Sequence, residues 1–301
     1  MAEKKDLDFT YTTIDEIFRL SIGETADYSG AKYDGDFSMS LEEAQKAKHT
    51  FIADSLHIKK GSKVLDMACG WGPFINYFTQ ERGAKGMGLT LSEGQAEACQ
   101  NNGMDVRVRD CRTVKPEDYG TFDAITCIGG LEHFCSIEEW KQGKQEQIYS
   151  DFFKTLYDLL PIGGRFYMQT MVFGKNMIDF KDIDVNAENG SVAHVMALMI
   201  KEFPGSWLPY GPEMVIKNAN PYFKLISQSS GRLDYIETIA QWRKKFRNFN
   251  LKKYWLYLSL VPKFITDKEF RHQVAIFRIS PNKVCFEQEI MEHYRLVFEK
   301  I

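Results

Sequence analysis

Val64-Leu65-Asp66-Met67-Ala68-Cys69-Gly70-Trp71-Gly72 is the stretch on which the reading of this 301-residue chain turns. The apolar pair Val64-Leu65 leads into an acid, Asp66, and then into a turn of small residues closed by Gly70 and Gly72. Pro73 follows at a first-turn position that helices tolerate, and opens Phe74-Ile75-Asn76-Tyr77-Phe78. The stretch therefore reads as a buried strand, a tight glycine turn and a helix N-terminus. In an open α/β sheet that is where a nucleotide-like ligand sits. Glycine lets the backbone approach such a ligand closely, because no Cβ intervenes.

Outward from the turn the chain alternates strand and helix. Strands are expected at 63–66, 86–90, 105–109, 122–128 and 164–172, with helices at 73–82, 92–101 and 145–160. Residues 122–128 form a near-continuous apolar run of the kind buried on both faces. This alternation predicts an α/β fold with a mostly parallel, doubly wound sheet. Two later strands, 223–227 and 293–300, read as a C-terminal antiparallel hairpin pair and bring the sheet to seven strands.

The whole chain, 1–301, reads as one domain with two additions. Residues 1–60 form an N-terminal helical cover, in which Ser40 and Glu43 make a capping box opening a helix to about Leu56. The loop 27–36, rich in glycine and aspartate, is a candidate ligand-covering segment. Residues 173–220 break the rhythm and read as an inserted helical lid, with a methionine-rich helix at 191–202 and a turn cluster at 204–212. Further helices are expected at 235–246, 251–260 and 266–278.

The turn itself narrows the ligand. A dinucleotide fingerprint wants a third glycine where Ile75 stands, and no G-x-x-x-x-G-K-[S/T] occurs, which excludes a P-loop. An acid at the strand end followed by G-x-G fits S-adenosylmethionine (SAM) better than NAD, since SAM has no pyrophosphate to cradle. Thr90 and Gln95 offer uncharged polar groups suited to a ribose edge. The plainer alternatives are a helix cap for Thr90 and a solvated helix position for Gln95. Glu132, in Gly129-Gly130-Leu131-Glu132-His133-Phe134, follows a buried strand, where a carboxylate needs partners. Its alternative is an acid that meets a helix dipole.

Net charge is −3, which leaves no global footprint for nucleic acid. Six cysteines show no C-x-x-C pair and no metal-ligand spacing, so a cytoplasmic setting and no metal are expected. No apolar run reaches a membrane-spanning length, so lipid would be met from the membrane surface or through a carrier.

An ordered series of motifs then points to a family. It comprises Tyr28-Ser29, Met39-Ser-Leu-Glu-Glu-Ala-Gln45, Leu65–Gly72 and Gly88-Leu-Thr-Leu-Ser-Glu-Gly-Gln95. It continues with Ile128-Gly-Gly-Leu-Glu-His-Phe134, Phe203-Pro-Gly205 with Leu208-Pro209, Asp234-Tyr235 before Trp242, and Phe277-Arg278. The series resembles the cyclopropane fatty acid synthase family of SAM-dependent methyltransferases, which includes the mycolic acid cyclopropane synthases. The resemblance implies a Rossmann-like fold, SAM as donor, S-adenosylhomocysteine as product, and methyl transfer to carbon of an unsaturated fatty acyl or prenyl-like chain. The acceptor would come as a lipid at a membrane surface, on an acyl carrier or as a free molecule. Oligomeric state is not legible.

The resemblance places Tyr28, Ser29, Ala68, Gly70, Gly72, Thr90, Leu91, Gln95, Cys111, Arg112 and Ile128 where the family contacts SAM, and Asp66 joins them from the turn. Ala68 stands where the family usually has its first glycine. Glu132 and Tyr235 fall on active-site positions; for Tyr235 the alternative is a packed core aromatic. Two departures concern the bicarbonate that serves the family as base. Cyclopropane-forming members carry Cys after Tyr-Ser, where this chain has Gly30, and His in strand five, where it has Gln169. Gln169, the third catalytic candidate, cannot titrate, and Gly30 offers only backbone. Two of four side-chain supports are gone, which argues against bicarbonate-assisted ring closure. Tyr28, Tyr33, Phe134, Phe173, Trp207 and Tyr235 are candidates to stabilise a carbocation through their ring faces. A small-molecule methyltransferase resembling coclaurine N-methyltransferase is the second reading, and a SAM- or lipid-binding module without turnover is the third.

Overall fold

The computed structural model describes residues 15–23, 26–202, 205–267 and 280–301. Residues 1–14 of the N-terminal cover, Phe203-Pro204, Phe277-Arg278 and nearly all of the helix expected at 266–278 lie outside them.

Seven strands form one sheet: β1 Lys63–Asp66, β2 Lys85–Thr90, β3 Val106–Val108, β4 Ala124–Ile128, β5 Arg165–Phe173, β6 Phe223–Ser230 and β7 Met291–Lys300. Their order is β3-β2-β1-β4-β5-β7-β6. Strands β1 to β5 pair in parallel, and β7 runs antiparallel between β5 and β6. The expected C-terminal antiparallel pair is present, but it is not a hairpin, because residues 231–290 intervene and carry helices.

The principal helices are α1 Asp15–Ile22, α2 Leu41–Ser55, α3 Pro73–Arg82, α4 Glu93–Asn101, α5 Gln145–Leu159, α6 Val192–Glu202, α7 Gly211–Ala219, α8 Arg232–Arg247, α9 Leu251–Thr266 and α10 Ser280–Glu287. Local chemistry sets their ends. The Ser40 hydroxyl accepts from the Glu43 amide at 3.2 Å, while the Glu43 carboxylate accepts from the Ser40 amide at 2.8 Å, which closes the capping box of α2. Gly72, at φ 75°, is the N-cap of α3, with Pro73 just inside.

Helices cover both faces of the sheet. Ile52 of α2, Leu56 at its C-cap, Phe74 and Phe78 of α3 and Cys99 of α4 pack on one side against Val64, Ala124 and Tyr167. Phe152, Phe153 and Leu156 of α5 pack on the other against Ile125, Phe166 and Phe298. Val215 and Ala219 of α7 join this second core. The later part of the 173–220 stretch is therefore a sheet-covering helix, not lid, because its apolar residues complete the layer under β5 and β6. The turn cluster is also anchored. The Trp207 amide donates to the Cys135 carbonyl at 2.8 Å, and the Phe173 amide to the Pro209 carbonyl at 2.8 Å. A further apolar cluster lies beyond the carboxyl end of β5, built from α6, α8, α10 and the loop 28–39.

Candidate functional site

A cleft opens at the carboxyl ends of β1, β2 and β4, beside the stretch that decided the fold. Eleven of the twelve sequence-derived cofactor candidates line it: Tyr28, Ser29, Asp66, Ala68, Gly70, Thr90, Leu91, Gln95, Cys111, Arg112 and Ile128. Gly72 does not. A Cβ there would fall 2.5 Å from Met104 Sδ, and the backbone is left-handed, so its glycine serves the cap of α3 and not the ligand. Gly70 is also left-handed, at φ 53°, but nothing lies within 4 Å of where its Cβ would stand. That side of the turn is open to the cleft.

Ala68 is tolerated for a reason in the next loop. A Cβ at Gly130 would sit 3.0 Å from Ala68 Cβ and 2.7 Å from Cys127 Sγ. The methyl group moved onto the β1 turn is thus accommodated by a glycine after β4.

Polar groups in the cleft are pre-set. Thr90 Oγ1 donates to Gln95 Oε1 at 2.7 Å and accepts from the Ser92 amide at 3.1 Å, while the Ser92 hydroxyl accepts from the Gln95 amide. This fixes the Gln95 amide group at the end of β2. Burial raises Asp66 to about 7, against the pull of the Ala68 amide and of Lys48. Arg112 pairs with Asp110 at 2.7 Å and lies over the Phe134 ring.

Several lining residues escaped the sequence reading. Asp110 caps the turn after β3, and its position directly before Cys111 was the available signal. His133, next to Glu132, also lines the cleft, and burial lowers its pKa. Asp27, Lys48 and His49 form a buried ion network beneath Tyr28-Ser29. Lys48 Nζ reaches Asp27 at 2.8 Å and Ser29 Oγ at 2.6 Å, and His49 Nε2 lies 2.9 Å from Asp27. Burial alone would raise Asp27, but Lys48 and His49 hold it well below the ordinary carboxylate value. The loop 27–36 is fastened further along: the Ala31 amide donates to Thr238 Oγ1, and Arg295 donates to the Ala31 carbonyl and Asp234.

Glu132 lies one residue from the cleft wall and is 4% exposed. Its Oε1 accepts from the Met171 amide at 2.7 Å, and its Oε2 has no hydrogen-bond partner among the described residues. Burial raises it from 4.5 to about 7, with the Met171 amide opposing. A carboxyl so placed is part protonated at neutral pH, the condition for giving or taking a proton.

Tyr235 lies in the apolar cluster, stacked on His293 at 4.8 Å and 10°. Burial, with Arg295 and Lys48 adding to it, keeps His293 neutral, and its Nδ1 has no partner among the described residues. His293 comes from the last strand and was not legible in the sequence. Gln169 differs from expectation: its amide donates to the Gly30 carbonyl at 2.9 Å and accepts from the Tyr167 hydroxyl at 2.8 Å. Both ends are engaged, so Gln169 braces the Gly30 loop. Of the aromatic candidates, Tyr28 and Phe134 line the cleft, while Tyr33, Phe173, Trp207 and Tyr235 lie in the apolar cluster. Among the described residues no group of His, Cys, Asp or Glu could hold a metal ion.

This geometry stands beside known proteins as follows. The family model for mycolic acid cyclopropane synthetase matches residues 2–257. The chain belongs to the mycolic acid cyclopropane synthetase family. Cyclopropane mycolic acid synthase 3 of Mycobacterium tuberculosis is 29% identical over 236 residues, 77% of this chain and 78% of that protein. The S-adenosylmethionine-dependent methyltransferase UmaA of the same organism is 29% identical over 203 residues, 66% of this chain and 67% of that one. The solved mycolic acid cyclopropane synthase CmaA1, complexed with SAH and CTAB, superposes with a TM-score of 0.76 at 24% identity, covering 99% of this chain and 98% of that one. Membership makes this chain a SAM-dependent methyltransferase of Rossmann-like fold.

The cleft suits SAM on its own chemistry. Gly70 leaves the turn open, Gln95 holds a fixed amide at the end of β2, and Asp66 offers a carboxylate to a cationic ligand. The side chains that the resemblance assigns to a bicarbonate base are not all present. A side chain at Gly30 would meet Tyr235 Cδ2 at 2.6 Å and His293 Cε1 at 2.9 Å. The space beside the Gly30 loop is filled by the Tyr235–His293 stack, and Gln169 is spent on the brace.

Proposed function

We propose that the chain transfers a methyl group from SAM to carbon of an unsaturated, lipid-like acceptor, with Glu132 as the proton acceptor. One observation carries the reading: a buried carboxyl of raised pKa stands between the cleft and an apolar cluster rich in methionine. Met171, whose amide holds Glu132, packs against that cluster together with Met39, Met177, Met196, Met199 and Met291. Methionine side chains are flexible and polarisable, so such a wall can repack around an acyl chain.

Bound SAM supplies an electrophilic methyl on a sulfonium. The chain's own residues align, exclude water and manage charge. Gln95, Thr90 and the Gly70 turn would hold the nucleoside, and Asp66 would face its positive charge. Tyr28 and Phe134 offer ring faces at the cleft wall. The methylated alkene carbon must shed a proton, and Glu132 Oε2 is the group positioned to receive it. With Gly30 and Gln169 in place of two of the side chains that would support bicarbonate, ring closure is disfavoured against proton loss to a methylene or a methyl-branched alkene.

A second reading, methylation of an amine, is favoured by the same Gly30 and Gln169, since simple transfer to nitrogen needs less acid–base machinery. Incubation with methyl-deuterated SAM and separate pools of monounsaturated phospholipid, oleoyl carrier-protein thioester and amine extract, read by mass spectrometry, decides between them. Label in either acyl pool supports the proposal, and label confined to the amine pool selects the second reading.

A further inference from the structure

We infer that α9, with the loop before it, is a docking surface for the anionic face of a phospholipid bilayer. Apart from the inward-turned Lys253, α9 presents most of its length to solvent. Trp255 is 67% exposed and Leu258 59%, and Leu251, Tyr254 and Val261 stand exposed with them. Phe249, in the loop, is 75% exposed. An exposed apolar patch of this extent marks an interaction site.

Its charge names the partner. From Thr238 to Thr266 there are seven Lys and Arg and no Asp or Glu, in a chain whose net charge is −3, so the remainder carries −10. Lys244, Arg247 and Lys252 are exposed around the patch. Basic residues bordering exposed aromatic and aliphatic side chains are the chemistry of a helix lying in an anionic lipid interface, with Trp and Tyr at headgroup level. A second copy of the same surface would set like charges against each other. Sixteen residues span about 24 Å, and no helix among the described residues is long and apolar enough to cross a membrane, so α9 would lie in the plane.

The helix is built to be held this way. The Asn250 side chain caps it, accepting from the Lys253 amide at 3.1 Å. Lys253 itself turns inward, and its Nζ donates to the Phe246 carbonyl at 2.9 Å, tying α9 to the end of α8. Helix α8 continues inward to Trp242, which stacks on Tyr28 of the cleft wall at 4.3 Å. The surface is thus mechanically joined to the catalytic end of the sheet.

Co-sedimentation of the full chain with vesicles tests this without reference to turnover. One set contains equal parts phosphatidylglycerol and phosphatidylcholine, the other phosphatidylcholine alone. The wild type is expected to pellet with the first set, less so at high salt, and only weakly with the second. Lys244→Ser with Lys252→Ser should weaken binding about twenty-fivefold, at about fivefold per basic residue. Trp255→Ser with Leu258→Ser should weaken it more than tenfold, with SAM affinity unchanged as the check on folding. Equal binding to both vesicle sets, or undiminished binding by both double variants, overturns the proposal. So does a wild-type dimer that ignores vesicles and dissociates on Trp255→Ser with Leu258→Ser. None of these results bears on which acceptor atom is methylated.

Discussion

Replacing Glu132 by glutamine should make the protein more stable relative to wild type at high pH than at low pH, while ending turnover. The wild-type carboxyl is raised by burial from 4.5 to about 7. Between those values the folded state holds a proton that the unfolded chain has released. Stability linked to Glu132 is therefore full below about pH 4.5 and is lost as pH rises through about 7. At about 1.4 kcal/mol per pH unit, the loss amounts to about 3 kcal/mol. Glutamine keeps an acceptor for the Met171 amide and has no charge to bury. Its added N–H group stands where Oε2 has no partner, at a cost of about 1–3 kcal/mol that does not change with pH. Urea unfolding of both proteins at pH 4.5 and pH 8.5 isolates the titrating part, because contributions from Asp66 and other groups cancel in the difference. The stability of Glu132→Gln relative to wild type should rise by about 3 kcal/mol between the two pH values. A difference that stays constant would refute the claim that this carboxyl is buried at the cost of its charge.

Other residues give sharper local tests. Ala68→Gly should leave SAM affinity within a few-fold of wild type by calorimetry, whereas Gly130→Ala should lower the melting temperature, its Cβ overlapping Cys127 and Ala68 at a cost of about 1–3 kcal/mol. Gln95→Leu removes the fixed amide at the end of β2 and should weaken SAM binding about tenfold, with unfolding little changed. SAM binding should tighten as pH rises from about 6 to about 8, with proton release seen by calorimetry in buffers of different ionisation enthalpy. Asp66 lies at about 7, and its carboxylate form favours a cation. Affinity independent of pH over that range would exclude Asp66 as the partner of positive charge.

Local signals carried most of the fold. The Val64–Gly72 turn, the Ser40–Glu43 capping box and the Phe122–Ile128 apolar run each depend on neighbours in sequence, and each lies where periodicity and turn chemistry put it. The same locality misled at Gly72: a glycine two places after Gly70 reads as a ligand turn, yet its conformation is required by the helix cap and by Met104 from a distant loop. Gln169 was misread for a related reason. Its partner, the Gly30 carbonyl, is 139 residues away, and no spacing rule connects them. His293 is harder still, since β7 enters between β5 and β6 only after a helical excursion, and only then does its ring meet Tyr235. The buried Asp27–Lys48–His49 network joins a loop to a helix face across some twenty residues, a pairing that no local spacing marks. Residues 211–219 were assigned to the lid because proline and glycine punctuate their start, while Val215 and Ala219 bury themselves against the sheet.

The central claim is that a methyl group passes to an alkene carbon and that Glu132 takes the proton released. A single-turnover reaction with methyl-labelled SAM and a monounsaturated acyl acceptor, analysed by carbon NMR for wild type and Glu132→Gln, tests it most directly. The account predicts label on a former alkene carbon with wild type and none with Glu132→Gln, although both bind SAM equally well. Label on a heteroatom, or undiminished carbon labelling by Glu132→Gln, would contradict it.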